Sequence, residues 1–168
     1  MIGMAKTDSF FIRASTNYNG TTYAQNSIDL GAVVDALGKS VLRIHNISVQ
    51  WGSEVVMAIP AGTHSMCFQL TTQSQSAIVA ATDKSLISSG RLVYSDDVTP
   101  GGGTITDMVD IAPQHWTNGY LVGVEQIYLG VDCTEATSAG FTACSIVLEC
   151  TVETLSTPAA MALALSQQ

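Results

Sequence analysis

The sequence predicts an all-β fold, a sandwich or barrel of antiparallel strands with Greek-key connections. Strand-like runs rich in Val, Ile, Thr, Phe and Tyr recur along the chain with turn signals between them. Helical signals are few, and strands do not alternate with helices, which argues against a parallel α/β fold. No repeat of about 20 to 50 residues is present, so a propeller or solenoid is not expected. The 168 residues fit one domain with a core of its own.

Eight runs form the predicted strands. They are residues 9–15, 22–30, 41–51, 65–72, 86–94, 104–111, 120–133 and 141–155. Asn19-Gly20 predicts a tight hairpin between the first two strands, because both residues tolerate positive φ. Single helical turns are predicted within residues 29–37 and 75–81. The sandwich therefore spans residues 9–155 of a single domain, 1–168.

Alternation of apolar and polar residues is clearest in the last run. One face carries Cys144, Ile146, Leu148, Cys150 and Val152, and the other carries Ser145, Glu149, Thr151 and Glu153. This two-residue period is that of a half-buried strand. In 41–51 the apolar phase reverses near His45, and in 120–133 it reverses near Glu125. A one-residue bulge at each point would return both apolar sets to the core.

Residues 156–168 predict a short helical tail. Ser156 or Thr157 suits the cap, and Pro158 suits the first turn. The tail carries no charge, and a helix shorter than about 12 residues is marginal in water by itself. The tail thus needs a surface, either its own domain or a neighbouring subunit. The candidate interface residues are Pro158, Met161, Leu163 and Leu165.

Composition and charge exclude several functions. The net charge is -8, and the six basic residues are scattered singly, so the cluster of cations that phosphate binding requires is missing. The N-terminus lacks the apolar core of a secretory signal, and no apolar run approaches the ~20 residues of a membrane span. We expect no direct nucleic-acid binding. We also expect no Sec export, with a signal removed before this sequence begins as the alternative.

No motif identifies a catalytic, cofactor-binding or metal site. His45, His64 and His115 are far apart in sequence and lack metal-ligand spacing, so a structural role is expected for each. The four cysteines show no C-x-x-C spacing. Buried thiols are the favoured interpretation, and a bond between Cys133 and Cys144 is the alternative. We therefore predict a protein that is not an enzyme and has no small-molecule substrate.

The aromatic residues separate into one core and one surface candidate. Trp51 ends a strand on its apolar face and is predicted to be buried. Trp116 lies in a loop beside Gln114 and Asn118. An exposed aromatic ring with neighbouring amides is typical of a sugar platform. A carbohydrate-binding or adhesin-like β-sandwich is therefore the alternative to the main interpretation.

The number of strand-like runs over 9–155, the scarcity of charge and the absence of catalytic motifs together resemble the single-jelly-roll major capsid proteins of icosahedral tailless DNA viruses. The resemblance implies an eight-stranded sandwich of two sheets whose subunits assemble into a virion shell. Many small RNA-virus coat proteins carry an N-terminal arm rich in Arg and Lys, whereas Lys6 is the only basic residue among the first ten here. The implied partners are copies of the chain, a second coat protein, and an underlying membrane or minor capsid protein. Assembly in the host cytoplasm would follow.

Overall fold

The computed structural model describes residues 6–18, 20–35, 37, 39–52, 62–96, 103–134 and 142–168. Within these ranges the chain forms nine strands and one helix. The strands are β1 (Phe10–Asn17), β2 (Ala24–Asp29), β3 (Ser40–Trp51), β4 (Gly62–Thr71), β5 (Leu86–Asp96), β6 (Gly103–Ile111), β7 (Tyr120–Val122), β8 (Gln126–Cys133) and β9 (Thr142–Thr154). The helix is α1 (Thr157–Ser166).

The strands form two antiparallel sheets with one core between them. The first sheet has the order β1-β9-β3-β7, and the second has the order β2-β8-β4-β5-β6. Leu42 and Ile146 of the first sheet and Phe68 and Leu129 of the second are almost fully buried in the shared core. With edge strand β6 set aside, the order is that of a double Greek key, the jelly roll. The predicted jelly-roll sandwich with a helical tail is confirmed.

The strand count differs from the predicted eight because residues 120–133 do not form one bulged strand. β7 pairs with β3 in the first sheet, while β8 pairs with β2 and β4 in the second. The chain crosses between the sheets at 123–125, so Val122 and Ile127 reach the core from opposite sides. The reversal of phase here marks a change of sheet, and the predicted bulge is wrong.

The bulge predicted in the third run is confirmed. The pairing of β3 with β9 shifts register between Ile44 and Asn46, which leaves His45 as the additional residue. Ile44 before the bulge and Ile47 after it are both buried. The bulge thus keeps the apolar side chains of β3 in the core on both sides of His45.

The turn at Gly20 does not connect a hairpin. Gly20 has the positive φ of 62° that the turn signal implies, but β1 pairs with β9 and β2 pairs with β8. The chain instead passes from the first sheet to the second over the edge of the core. The Thr16 hydroxyl donates to the Leu129 carbonyl oxygen at 2.9 Å, and this bond joins the two sheets.

The two predicted helical turns have different outcomes. The Leu30 carbonyl accepts from the amides of Val33 and Val34 at 2.9 and 2.8 Å, which makes the first a real turn. Residues 75–81 form no helical turn. The buried Gln69 side chain holds them as a loop, since its amide donates to Ala77 O and its oxygen accepts from Val79 N.

Candidate functional site

A loop from Pro113 to Gly119, called the Trp116 loop here, covers part of the outer face of the first sheet. It begins with the 3-10 turn Pro113–His115. Gly119 returns the loop to the sheet with a φ of 69°, and a Cβ at that position would overlap the carbonyl oxygen of Ile44. Glycine is required for this approach. The loop therefore lies close against the bulge of β3.

The loop and the sheet enclose an open cavity of about 650 Å³, called the Trp116 cavity here. Its lining combines one aromatic ring, several amides and four formally charged side chains. The lining residues are Lys6, Arg43, His45, Asn46, Gln114, Trp116, Thr117, Asn118, Gly119, Glu149 and Glu153. Trp116, predicted to be the exposed aromatic, is 39% exposed. The structure thus brings it together with Gln114 and Asn118.

The floor of the cavity is an ion-pair cluster centred on Glu153, which is only 4% exposed. Arg43 donates through Nε to Glu153 Oε1 at 2.5 Å and through Nη2 to Oε2 at 2.8 Å. Lys6 Nζ lies 3.7 Å from Oε1. The bonds from Arg43 hold the pKa of Glu153 below its usual value and raise that of Arg43. Paired in this way, both charges tolerate partial burial.

Arg43 also connects the cluster to the loop, because its Nη1 donates to the Asn118 carbonyl oxygen. Beside it, His45 Nε2 lies 2.9 Å from Thr151 Oγ1. The Gln114 side-chain oxygen accepts from the Ile47 amide at 3.4 Å. The bulge, the loop and the cluster are thereby held as one unit around the cavity.

The aromatic platform has support of its own. The rings of Trp116 and Tyr120 lie 5.3 Å apart between centroids, with 33° between their planes. Tyr120 belongs to β7, and burial raises its pKa. Trp51, by contrast, packs against the core and meets Phe68 edge-on at 5.6 Å. The predicted division into a core and a surface tryptophan is confirmed.

The residues considered for catalysis do not converge. His45 lies at the cavity, His64 is on β4 of the other sheet, and His115 is exposed in the 3-10 turn. In the described ranges, no three His, Cys, Asp or Glu side chains lie close enough to hold a metal ion. Cys133 and Cys144 are buried on strands of opposite sheets. Burial raises the pKa of Cys150 to about 12.

The second surface of interest is formed by α1, which docks on its own chain. The Ser156 side chain caps the helix by accepting from the Ala159 amide, as predicted. Ala160 and Ala164 are buried against the sandwich. A Cβ on Gly123 would lie 3.0 Å from Leu163 Cγ and 3.2 Å from Ala164 N. Small residues on both sides thus allow the helix to approach β7 closely.

Gln167 fixes the end of the helix where the chain crosses between the sheets. Its side chain donates to Leu121 O at 2.7 Å and accepts from Gly123 N at 2.8 Å. Its own carbonyl accepts from Thr72 Oγ1 and Gln73 Nε2. The Gln167 side chain therefore bonds two backbone groups, Leu121 O and Gly123 N, at the point where β7 ends and the chain leaves the first sheet.

The four candidate interface residues lie mostly on the outer side of this helix. Pro158 is exposed, Met161 is 48% exposed and Leu165 is 68% exposed, whereas Leu163 is partly covered by the contact at Gly123. The buried face of the helix consists of Ala160, Ala164 and Gln167. The interface predicted from the sequence included only the larger apolar side chains, and this face was not predicted. Ala160, Ala164 and Gln167 follow one another at intervals of four and three residues, which puts them on one face of a helix. This spacing is the sequence signal that could have identified the buried face.

In the described part of the chain, no helix is long and apolar enough to span a membrane. Comparison with family models and with curated proteins found no match to this sequence. Comparison with solved structures found similarity to VP1 proteins of polyomaviruses and to a putative glycoside hydrolase. The fold assignment itself rests on the strand order described above.

Three solved structures show the extent of this similarity. VP1 of Merkel cell polyomavirus, in an unassembled pentamer, matches over 88% of this chain and 96% of its own, with 6% identity and a TM-score of 0.45. VP1 of Trichodysplasia spinulosa-associated polyomavirus matches over 90% and 95%, with 7% identity and a TM-score of 0.36. A putative glycoside hydrolase from Bacteroides thetaiotaomicron matches over 79% and 40%, with 12% identity and a TM-score of 0.28.

Proposed function

We propose that this chain is a single-domain structural coat protein that assembles through protein–protein contacts into an icosahedral virion shell. Its partners are copies of itself, with a second coat protein and an underlying membrane or minor capsid protein as further candidates. The protein is not an enzyme and does not bind nucleic acid directly. It reaches the virion from the host cytoplasm.

The outer side of α1 carries this proposal. The helix is already docked on its own chain through Ala160, Ala164 and Gln167, yet Met161 and Leu165 stay exposed. The segment 155–168 has no charged residue to solvate that side. Depletion of charge is typical of interface cores. The jelly-roll fold agrees with a coat protein but hosts many functions, so the helix surface is the more specific support.

The outer face of the first sheet gives a second reason. Ser15, Ser48, Gln50, Ser145 and Val147 lie side by side across β1, β9 and β3. These are short or uncharged side chains on a surface with a regular register. Arg13, opposite Val147 on β1, is the one charged side chain in these two rows, so a neighbouring subunit packed here would desolvate a single charge.

The mass of the purified protein tests the proposal. We expect large, uniform particles by light scattering and negative-stain imaging. Leu165→Glu should give a folded protein that no longer assembles, because it places a charge at the proposed contact. Leu37→Glu is the matched control, since Leu37 is 85% exposed and is not part of α1. A wild-type protein that stays monomeric at high concentration would refute the coat-protein function.

The alternative function, a carbohydrate-binding or adhesin-like sandwich, is favoured by one observation. Trp116, Gln114 and Asn118 line a single cavity. A monomeric wild-type protein would make this the leading function. The proposed contact at α1 and the Trp116 cavity are different surfaces, so Leu165→Glu tests assembly without changing the cavity.

A further inference from the structure

The Trp116 cavity holds several polar groups that other side chains leave available. Among the described residues, no hydrogen bond engages the side-chain amides of Asn46 and Asn118, the Glu149 carboxylate or the Trp116 indole N–H. All four side chains line the same cavity, and their donors and acceptors are mixed. A ligand bound here would meet both donors and acceptors in the same cavity as the indole.

The tryptophan provides the complementary apolar contact. An indole presents a flat, weakly negative face, on which the C–H face of a pyranose ring can lie. Trp116 cannot swing freely, because it is stacked with Tyr120 and its loop is fixed against the sheet at Gly119. A platform held in place loses little conformational entropy when a ligand binds. The cavity of about 650 Å³ falls within the size range of small-molecule sites.

The charges of the cavity favour a neutral ligand. Lys6 and Arg43 are balanced by Glu149 and Glu153, and the Arg43 guanidinium is already committed to Glu153 and to the Asn118 carbonyl. Lys6 Nζ already lies 3.7 Å from Glu153 Oε1, and the protein as a whole carries a net charge of -8. An acidic sugar would be repelled on approach, whereas a neutral one would not.

The two carboxylates do not form a hydrolytic pair. A glycosidase needs one carboxyl group that holds a proton as general acid and a second carboxylate as base or nucleophile. Arg43 already bonds both side-chain oxygens of Glu153. Glu153 is also held ionised by Arg43, which lowers its pKa and makes it unsuited to donate a proton.

From these contacts we infer that the Trp116 cavity binds a neutral pyranose, alone or as the end of a short glycan, and does not cleave it. Trp116 stacks on the ring, and Asn46, Gln114, Asn118 and Glu149 bond its hydroxyls. This binding does not depend on shell assembly. It adds a recognition site to the outer face of the first sheet, apart from the α1 surface.

A glycan array followed by calorimetric titration tests the inference. The array carries matched neutral and sialylated glycans and is probed with the wild-type protein and with Leu165→Glu, so that a cavity covered in an assembly is still sampled. We expect neutral glycans to bind and their sialylated counterparts to bind at least tenfold more weakly. The best neutral glycan is then titrated into the variants, and its length is checked afterwards to detect cleavage.

Trp116→Ala should weaken binding at least tenfold, and Trp116→Phe should weaken it less, because a ring is retained. Ile78→Ala is the control, since Ile78 is a partly exposed apolar residue that does not line the cavity. Circular dichroism confirms that each variant is folded. The inference is overturned if no neutral glycan binds to either protein, if only sialylated glycans bind, or if Trp116→Ala binds as well as the wild type. Cleavage of the bound glycan would overturn the non-hydrolytic part.

Discussion

The Trp116 loop and α1 both pack against the β3–β7 side of the first sheet, but they are fixed by opposite chemistry. The loop covers a charged cluster, in which Glu153 is bonded by Arg43 and approached by Lys6. The helix carries no charge and is fixed by two alanines and a buried glutamine. The loop leaves polar groups exposed, while the helix leaves apolar ones. This difference is the basis on which we propose ligand binding at the loop and subunit contact at the helix.

Loss of the Glu153 carboxylate should have the largest effect. Glu153→Ala leaves Arg43 without its partner in a partly buried position, and we expect the free energy of unfolding to fall by about 4 kcal/mol. Glu149→Ala is the matched control, because Glu149 is on the same face of β9 and makes no ion pair among the described residues. Urea unfolding of both variants at one protein concentration measures the difference. An equal fall in the free energy of unfolding in both variants would show that the ion pairs of Glu153 contribute no additional stability.

The same pair predicts a pH dependence of stability. The folded-state pKa of Glu153 is lowered, chiefly by Arg43, while an unfolded glutamate titrates near pH 4.3. The stabilisation is therefore present above about pH 4.3 and is lost as the pH falls through the lower folded value. The wild type should lose more stability on acidification than Glu153→Ala does. Parallel pH profiles for the two proteins would contradict this.

Removal of the Gln167 side chain should have a smaller effect, confined to the helix. Gln167→Ala leaves Gly123 N and Leu121 O without their side-chain partner, at a cost of about 2 kcal/mol. Gln168→Ala is the control, because Gln168 is exposed and contributes only its carbonyl, to Lys84. Amide hydrogen exchange should quicken along α1 and at Gly123, and stay unchanged in β9. Unchanged exchange in α1 would mean that the alanine face alone holds the helix.

Much of the fold could be predicted from local pattern. The period of two located the strands, and the reversal near His45 correctly predicted a bulge. The identical signal near Glu125 instead marks a crossing between sheets, because apolar side chains reach the core from either sheet and the pattern does not record which. Ser156 and Pro158 correctly predicted the start of α1. Sheet membership depends on pairing between distant strands, which local sequence does not contain.

The candidate sites were predictable to different degrees. Trp116 with its amides stood out, because an aromatic residue in a polar loop is visible in sequence. The pairing of Arg43 with Glu153 joins residues 110 positions apart, so no spacing could indicate it. Gln167 was missed because polar residues at the end of a tail usually meet water. The larger side chains of α1 were predicted to form its contact surface. The alanines are buried instead, because the helix approaches the backbone at Gly123 closely.

The accessibility of position 161 tests the central claim most directly. Met161→Cys places a thiol on the outer side of α1, and labelling with a maleimide is compared between the assembled protein and the non-assembling Leu165→Glu background. The wild type and Leu165→Glu without the added thiol give the background from Cys67, which is only partly buried. We predict rapid labelling in the subunit that does not assemble and strong protection in the particle. Equal labelling in both would contradict the assignment of this helix surface to subunit contact.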